Sequence, residues 1–180
     1  NRVTAQAITS LQITGDSAAT YYLSRKLETQ TDEKLTVALL GALLSLNSDK
    51  GAVTAQMHVT SGLSDNVVSA AIGYLAVVKP DWVVPVIDSL LNAKPSPRVR
   101  VACADAFAAI HNQSVIPRLA MLFKDEDPLV RGAAFGHLVE IDSTQVDLYL
   151  KIALADPDMM PQALALDIIN ASPPIIGGFL

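Results

Sequence analysis

Cys103, the histidines His58, His111 and His137, and the acidic run Asp125-Glu126-Asp127 are the side chains of this 180-residue sequence whose types could support nucleophilic, metal-binding or acid–base chemistry. Metal sites need three or four ligands brought together, and on a helix they show as His-Glu-x-x-His or as histidines four residues apart. Neither pattern occurs. A single cysteine permits no internal disulfide and no cysteine metal cluster. Asp125, Glu126, Asp127, Asp156 and Asp158 stand beside prolines and turn residues, where carboxylates cap the positive ends of helices. Acid–base catalysis instead needs carboxylates that converge on a cleft. No Gly-x-Gly-x-x-Gly, Walker or Gly-x-Ser-x-Gly segment is present, and the IIGGFL stretch has no following helix in which to cradle a phosphate. The expectation is therefore no catalytic, cofactor-binding or metal-ligating residue, and no cofactor.

Charge narrows the partners. With 13 basic and 18 acidic side chains the net charge is −5, the wrong sign for a general binder of nucleic-acid backbones. Arg98, Arg100, Arg118, Lys124 and Arg131 form a basic concentration, but Asp105, Asp125, Glu126 and Asp127 lie among them, so no nucleic-acid partner is expected. No run approaches the roughly 18 apolar residues of a membrane span, so direct membrane insertion is not expected either. The chain opens on NRVTAQAITSL, already in helical periodicity and with no signal-peptide pattern. It reads as a segment of a longer protein. Location is left open, with the cytoplasm favoured, since a targeting sequence can be absent from such a segment.

The elements that must position these side chains are repeated. The stretch VRGAAFGHL, from Val130 to Leu138, recurs as VRVACADAF from Val99, VVSAAIGYL from Val67, LTVALLGAL from Leu35 and VTAQAITSL from Val3, with a weaker echo, MPQALALDI, from Met160. The first residues at 3, 35, 67, 99, 130 and 160 are separated by 32, 32, 32, 31 and 30 positions, an internal repeat. Positions 1, 5, 6 and 9 are apolar or small, one face of a helix. Each stretch is followed by a polar break and a second helical run, with Pro85 and Pro117 expected in the first turns of two of those second helices. A composition that is 51% hydrophobic but only 5% aromatic suits packed helices better than sheets. The spacing predicts units at 1–32, 33–64, 65–96, 97–127 and 128–157, with a partial unit at 158–180. Neither helix of a unit can bury its apolar face alone, so the units must stack. Cys103 then falls at a position held elsewhere by Ala7, Leu39, Ala71, Ala134 and Leu164, a core site where a thiol is inert. Gly41, Gly73 and Gly136 share one repeat position, from which close helix packing is expected.

The pattern resembles the HEAT-repeat superfamily, and specifically its short-period, phycobilisome-lyase-like branch. VIPRLAMLFKDEDPLVRGAAFGHLVEI carries the resemblance, and VVPVIDSLLNAKPSPRVRVACADAFAAI repeats it. It implies an all-α, right-handed α-solenoid of about five to six stacked antiparallel helical hairpins, forming one domain. It also implies an inter-repeat structural role for the arginine after the valine, present as Arg100 and Arg131 but replaced by Thr4, Thr36 and Val68. Asp127 or Asp125 is the expected acidic partner of Arg131.

The second helices vary most in side-chain character. Tyr22, Arg118 and Tyr149 occupy one repeat position there and are the expected partner-binding residues, offering aromatic anchors and a cation. The leading expectation is a noncatalytic protein-interaction or scaffolding module with a protein partner. Two alternatives stand beside it: a bilin-binding subunit like the phycobilin lyase/isomerase group, implied by the resemblance, and a purely architectural segment of a larger protein. The strongly apolar ALALDIINASPPIIGGFL, interrupted by Pro173-Pro174, adds an expectation of end-to-end self-association.

Overall fold

The computed structural model describes residues 6–10, 13 and 17–171, which form helices and turns with no strand among them. It comprises two compact units, Asn1–Ile110 and His111–Leu180. Residues 6–10 are helical. In the first unit there follow α1 (Ser17–Glu28), α2 (Glu33–Ser45), α3 (Ala52–Thr60), α4 (Asp65–Val78), α5 (Pro80–Asn92) and α6 (Pro97–Ala109). The second unit holds a 3-10 turn, Gln113–Val115, that leads into α7 (Ile116–Leu122), then α8 (Pro128–Ile141), α9 (Val146–Leu154) and α10 (Met159–Ala171). The even-numbered helices are the first helices of the repeats and begin at 33, 65, 97, 128 and 159, at intervals of 32, 32, 31 and 31. The fold class is the all-α repeat of helical hairpins, an α-solenoid, that the sequence period implies.

Local signals set the helix starts. Asp32 caps α2 through the Leu35 N–H, Ser96 caps α6 through the Val99 N–H, and Asp127 caps α8 through the Leu129 N–H. Pro97 and Pro128 take first-turn positions, where no intrahelical N–H is missed. The second helix at 80 departs from expectation, because Pro80 takes the first-turn position and α5 begins a turn early. Pro85 therefore lies inside the helix and removes the donor that would have met the Asp81 carbonyl. The last repeat also shifts by one position. Gln162 donates to the Asp156 carbonyl as Arg131 donates to the Asp125 carbonyl, so Pro161 rather than Met160 is the counterpart of Val130.

Within each unit the first helices pack in series, α2 on α4 and α4 on α6 in one, α8 on α10 in the other. The second helices lie beside them, α3 against α4 and α5, and α7 and α9 against α8. The repeating positions form the core: Val67, Ala71 and Leu75, then Val99, Cys103 and Phe107, then Val130, Ala134 and Leu138 are all buried. Burial pushes the Cys103 thiol up to about 12, so it stays protonated and unreactive.

Tyr74 fixes one hairpin to its predecessor. Its fully buried phenol donates to the Ser48 carbonyl at 2.5 Å and accepts from the Gly51 N–H at 3.1 Å, satisfying the polar end of a large apolar side chain. A Cβ on Gly51 would lie 2.8 Å from Leu43 Cδ1 and 3.2 Å from both Leu27 Cδ2 and the Tyr74 hydroxyl, so these buried side-chain ends would have to shift to admit it. The glycines at the shared repeat position behave otherwise, and the expectation of close packing is corrected. A Cβ on Gly41 or Gly73 would meet nothing within 4 Å, and on Gly136 only Leu164 Cδ2 at an ordinary 3.7 Å. Gly41→Ala and Gly73→Ala should each stabilise the protein by about 0.5–1 kcal/mol through helix propensity, whereas Gly51→Ala should destabilise it. Urea unfolding of the three variants measures this, and loss of stability at 41 or 73 would contradict it.

Candidate functional site

Every second helix divides its side chains between the first helices and solvent. In α1 Leu23 and Leu27 are buried while Tyr21 and Tyr22 are exposed; in α3 Ala55 and Val59 are buried while Val53 and Met57 are exposed. In α5 Val83 and Ile87 are buried and Trp82 is exposed. The second unit repeats the division, with Met121 exposed on α7 and Leu148 and Ile152 exposed on α9.

Between α3 and α5 this solvent side is concave. A groove of about 890 Å³ runs there, with Val59, Trp82, Pro85, Val86 and Leu90 on its walls and Asp81 at its edge. The Trp82 ring is held by Lys79, whose ammonium lies 5.3 Å from the ring centroid and 2.6 Å from an Asp49 oxygen. That hydrogen bond from Lys79 keeps the Asp49 carboxyl below its usual range. A second cavity of about 630 Å³ lies among Glu33, Thr36, Thr54, Met57 and His58. The His58 Nε2 is buried without a hydrogen-bond partner, and burial lowers the pKa of its imidazole, which favours the neutral form.

The three expected partner-binding residues fare differently. Tyr22 is 74% exposed. Arg118 is half-buried and donates from Nη1 to the Ser114 carbonyl at 3.2 Å. Tyr149 is only 8% exposed, and its place on an open face is corrected. Its hydroxyl donates to Asp142 Oδ2 at 2.8 Å and its ring meets Phe123 edge-on at 6.3 Å. Burial, together with the Asp142 carboxylate, pushes the phenol up to about 12. The exposed line on α9 runs through Leu148 and Ile152 instead, each immediately before a buried residue, Tyr149 and Ala153.

Arg131 is the polar centre of the second unit. Its Nε and Nη2 grip the two oxygens of Asp156 at 2.8 Å each, a bidentate pair, and Nη2 also donates to Asp158 Oδ2 at 2.6 Å. Nη1 donates to the carbonyls of Asp125 and Glu126 at 2.8 and 3.0 Å. The carboxylates thus come from the following turn, Asp156 and Asp158, rather than from Asp125 or Asp127. Asp127 serves α8 as its cap, and the Asp125 side chain accepts from the Asp127 N–H as Asp156 does from the Asp158 N–H, both at 2.9 Å. Arg100 donates to the Pro95 carbonyl at 2.7 Å. The Trp82 groove and the Arg131–Asp156 pair were missed in the sequence. The recurrence of Asp-x-Asp before α8 and α10 was the available signal for the second; the groove has none, because it depends on how far apart two helices lie.

The described residues contain no group of three or more His, Cys, Asp or Glu side chains placed to hold a metal ion, and no helix among them is long and apolar enough to cross a membrane. A family model described as HEAT repeats matches residues 83–166. Comparison with curated proteins and with solved structures finds no match.

Arg131→Ala should cost about 3–5 kcal/mol by leaving the buried Asp156 carboxylate without its counter-ion, whereas Asp158→Ala, at a half-exposed carboxylate, should cost about 1 kcal/mol or less. Hydrogen bonds from Arg131 hold the Asp156 carboxyl below its ordinary value of 3.8. Its contribution is therefore fully present above that pH and is lost as the pH falls through the lowered value. Acid titration of unfolding should show a smaller acid-side loss in Asp156→Asn than in the parent; equal losses would remove Asp156 from the account.

Proposed function

Residues 83–166 are HEAT repeats, and from that premise we propose that the protein is a noncatalytic interaction module that grips a protein partner along the solvent faces of its second helices. HEAT repeats as a class serve protein–protein interaction and scaffolding. The observation that carries the reading is where the large apolar side chains lie. Tyr21, Tyr22, Val53, Met57, Trp82, Met121, Leu148 and Ile152 are all exposed on second helices, while Cys103 is core and Asp127 is a cap.

Within the first unit the α3–α5 groove is the best receptor for an anchor. Trp82 is pre-positioned by Lys79, so little side-chain entropy is lost when it is covered. The walls are mostly apolar, with Asp81, Gln56 and Ser89 available to orient a partner's polar groups. Interface aromatics of this kind carry a large share of binding energy. Tyr22 on α1 supplies a further aromatic contact in the same unit, and Arg118 on α7 offers a cation on the second unit's own face.

Trp82→Ala and Tyr22→Ala should each weaken binding of the partner recovered on the immobilised protein by about tenfold or more. Their thermal midpoints should stay near that of the parent, since both side chains are exposed. Titration calorimetry against that partner reads the affinity. Undiminished binding by the double variant would move the interface off the second helices.

A further inference from the structure

We propose that the α3–α5 groove receives an arginine side chain of a protein partner, its guanidinium laid on the Trp82 ring and its N–H groups on the acceptors of Asp81. The inference rests on the groove being an anchor site of the interface, and it names the chemistry of the group that is anchored there.

The starting observation is a carboxylate that the fold leaves unused. In the first unit Glu28 pairs with Arg25, Asp32 caps α2, Glu33 accepts from Asn66, Asp49 pairs with Lys79 and Asp65 accepts from Ser96. The Asp81 carboxylate, exposed in the first turn of α5, has no such partner among the described residues. Its backbone carbonyl also lacks the usual helical donor, because Pro85, four residues on, has no N–H. Residues four apart share one face of a helix, and Asp81 and Pro85 both line the groove, so this acceptor-rich strip borders it. No Lys, Arg or His lines the groove, whose other polar residues, Gln56, Thr60 and Ser89, are neutral. A partner that covers Trp82 also takes water from Asp81, its neighbour in the chain. A buried carboxylate without a counter-ion is strongly destabilising, so the occupant that fits brings a positive charge.

Trp82 decides which cation. Lys79 lies over the ring but is not among the residues that line the groove, so the groove meets the indole away from Lys79. The Lys79 charge is matched by Asp49 at 2.6 Å, which leaves Asp81 to set the sign of the groove. A guanidinium is flat, always charged and weakly hydrated, so it can stack on an indole while its edge donates two hydrogen bonds to a carboxylate. An ammonium is a compact, strongly hydrated point charge and gains less from the same pair of contacts. The aliphatic stem of the arginine lies along the apolar wall of Val86 and Leu90. At about 890 Å³ the groove exceeds one side chain, so apolar residues beside the arginine enter with it.

Trp82 is the single tryptophan of the chain, so its fluorescence reports on the groove directly. Titration of the 180-residue protein with acetyl-Leu-Arg-Leu-amide to about 10 mM should give a saturable change in emission. Peptides with citrulline or norleucine in place of the arginine should bind about tenfold more weakly. Asp81→Asn should weaken the arginine peptide about tenfold and leave the norleucine peptide unchanged, with the circular dichroism of the parent because Asp81 is exposed. Equal affinity for the three peptides, or undiminished binding of the arginine peptide by Asp81→Asn, would overturn the arginine assignment while keeping the groove as a docking site. Unchanged emission with every peptide would overturn the docking site as well.

Discussion

A helix of seven to fourteen residues, the range found here, cannot hold itself together in water and must bury an apolar face against neighbours. In this chain that burial is shared along the sequence. Within each unit the first helices present Val-, Ala- and Leu-type residues at fixed positions to the helices packed against them. Other features follow from this requirement. Cys103 is a core atom because it stands at one of those positions, and Tyr74 can be buried only because the turn of the preceding hairpin supplies both partners for its hydroxyl. Gly51 yields the space that the phenol occupies.

The turns carry a second, polar layer of the same logic. Backbone groups at helix ends need partners, and adjacent turns come close enough to provide them. In the first unit Asn66 donates to Glu33, and Ser96 donates to Asp65 at 2.6 Å. In the second unit Arg131 makes the corresponding link to Asp156 and Asp158, adding the carbonyls of its own turn. Where the arginine is replaced by Thr36, its hydroxyl bonds locally to the Asp32 carbonyl. There the link between neighbouring turns is made instead by the Asn66–Glu33 and Ser96–Asp65 pairs, and Asp65, Asp127, Asp156 and Asp158 are all engaged in structure.

This division of labour leaves the solvent faces of the second helices free of structural duty. Side chains there need only be compatible with helix formation, and Trp82, Tyr22 and Met121 stand exposed where a core would have taken them. The Lys79 contact shows that such a residue can still be held in place, by a cation above its ring and a carboxylate behind the cation. The chain thereby separates what folds it from what its solvent faces present.

The period, the hairpin in each unit, the cap at Asp127 and the core positions were legible in the sequence, because all are written in residues three or four apart or one repeat apart. The sequence by itself likewise determined that Cys103 is core, since every equivalent is apolar. Tertiary structure alone decided which solvent-side residues are covered. Tyr149 shares a repeat position with the exposed Tyr22, yet Asp142 and Phe123 enclose it. Arg131 found its carboxylates one turn later than the nearest acidic residues, and Gly41 and Gly73 lie in the open. The physical reason is one of range. Helical periodicity fixes the direction in which a side chain points relative to its own helix, but only the spacing of neighbouring helices and turns fixes what it meets.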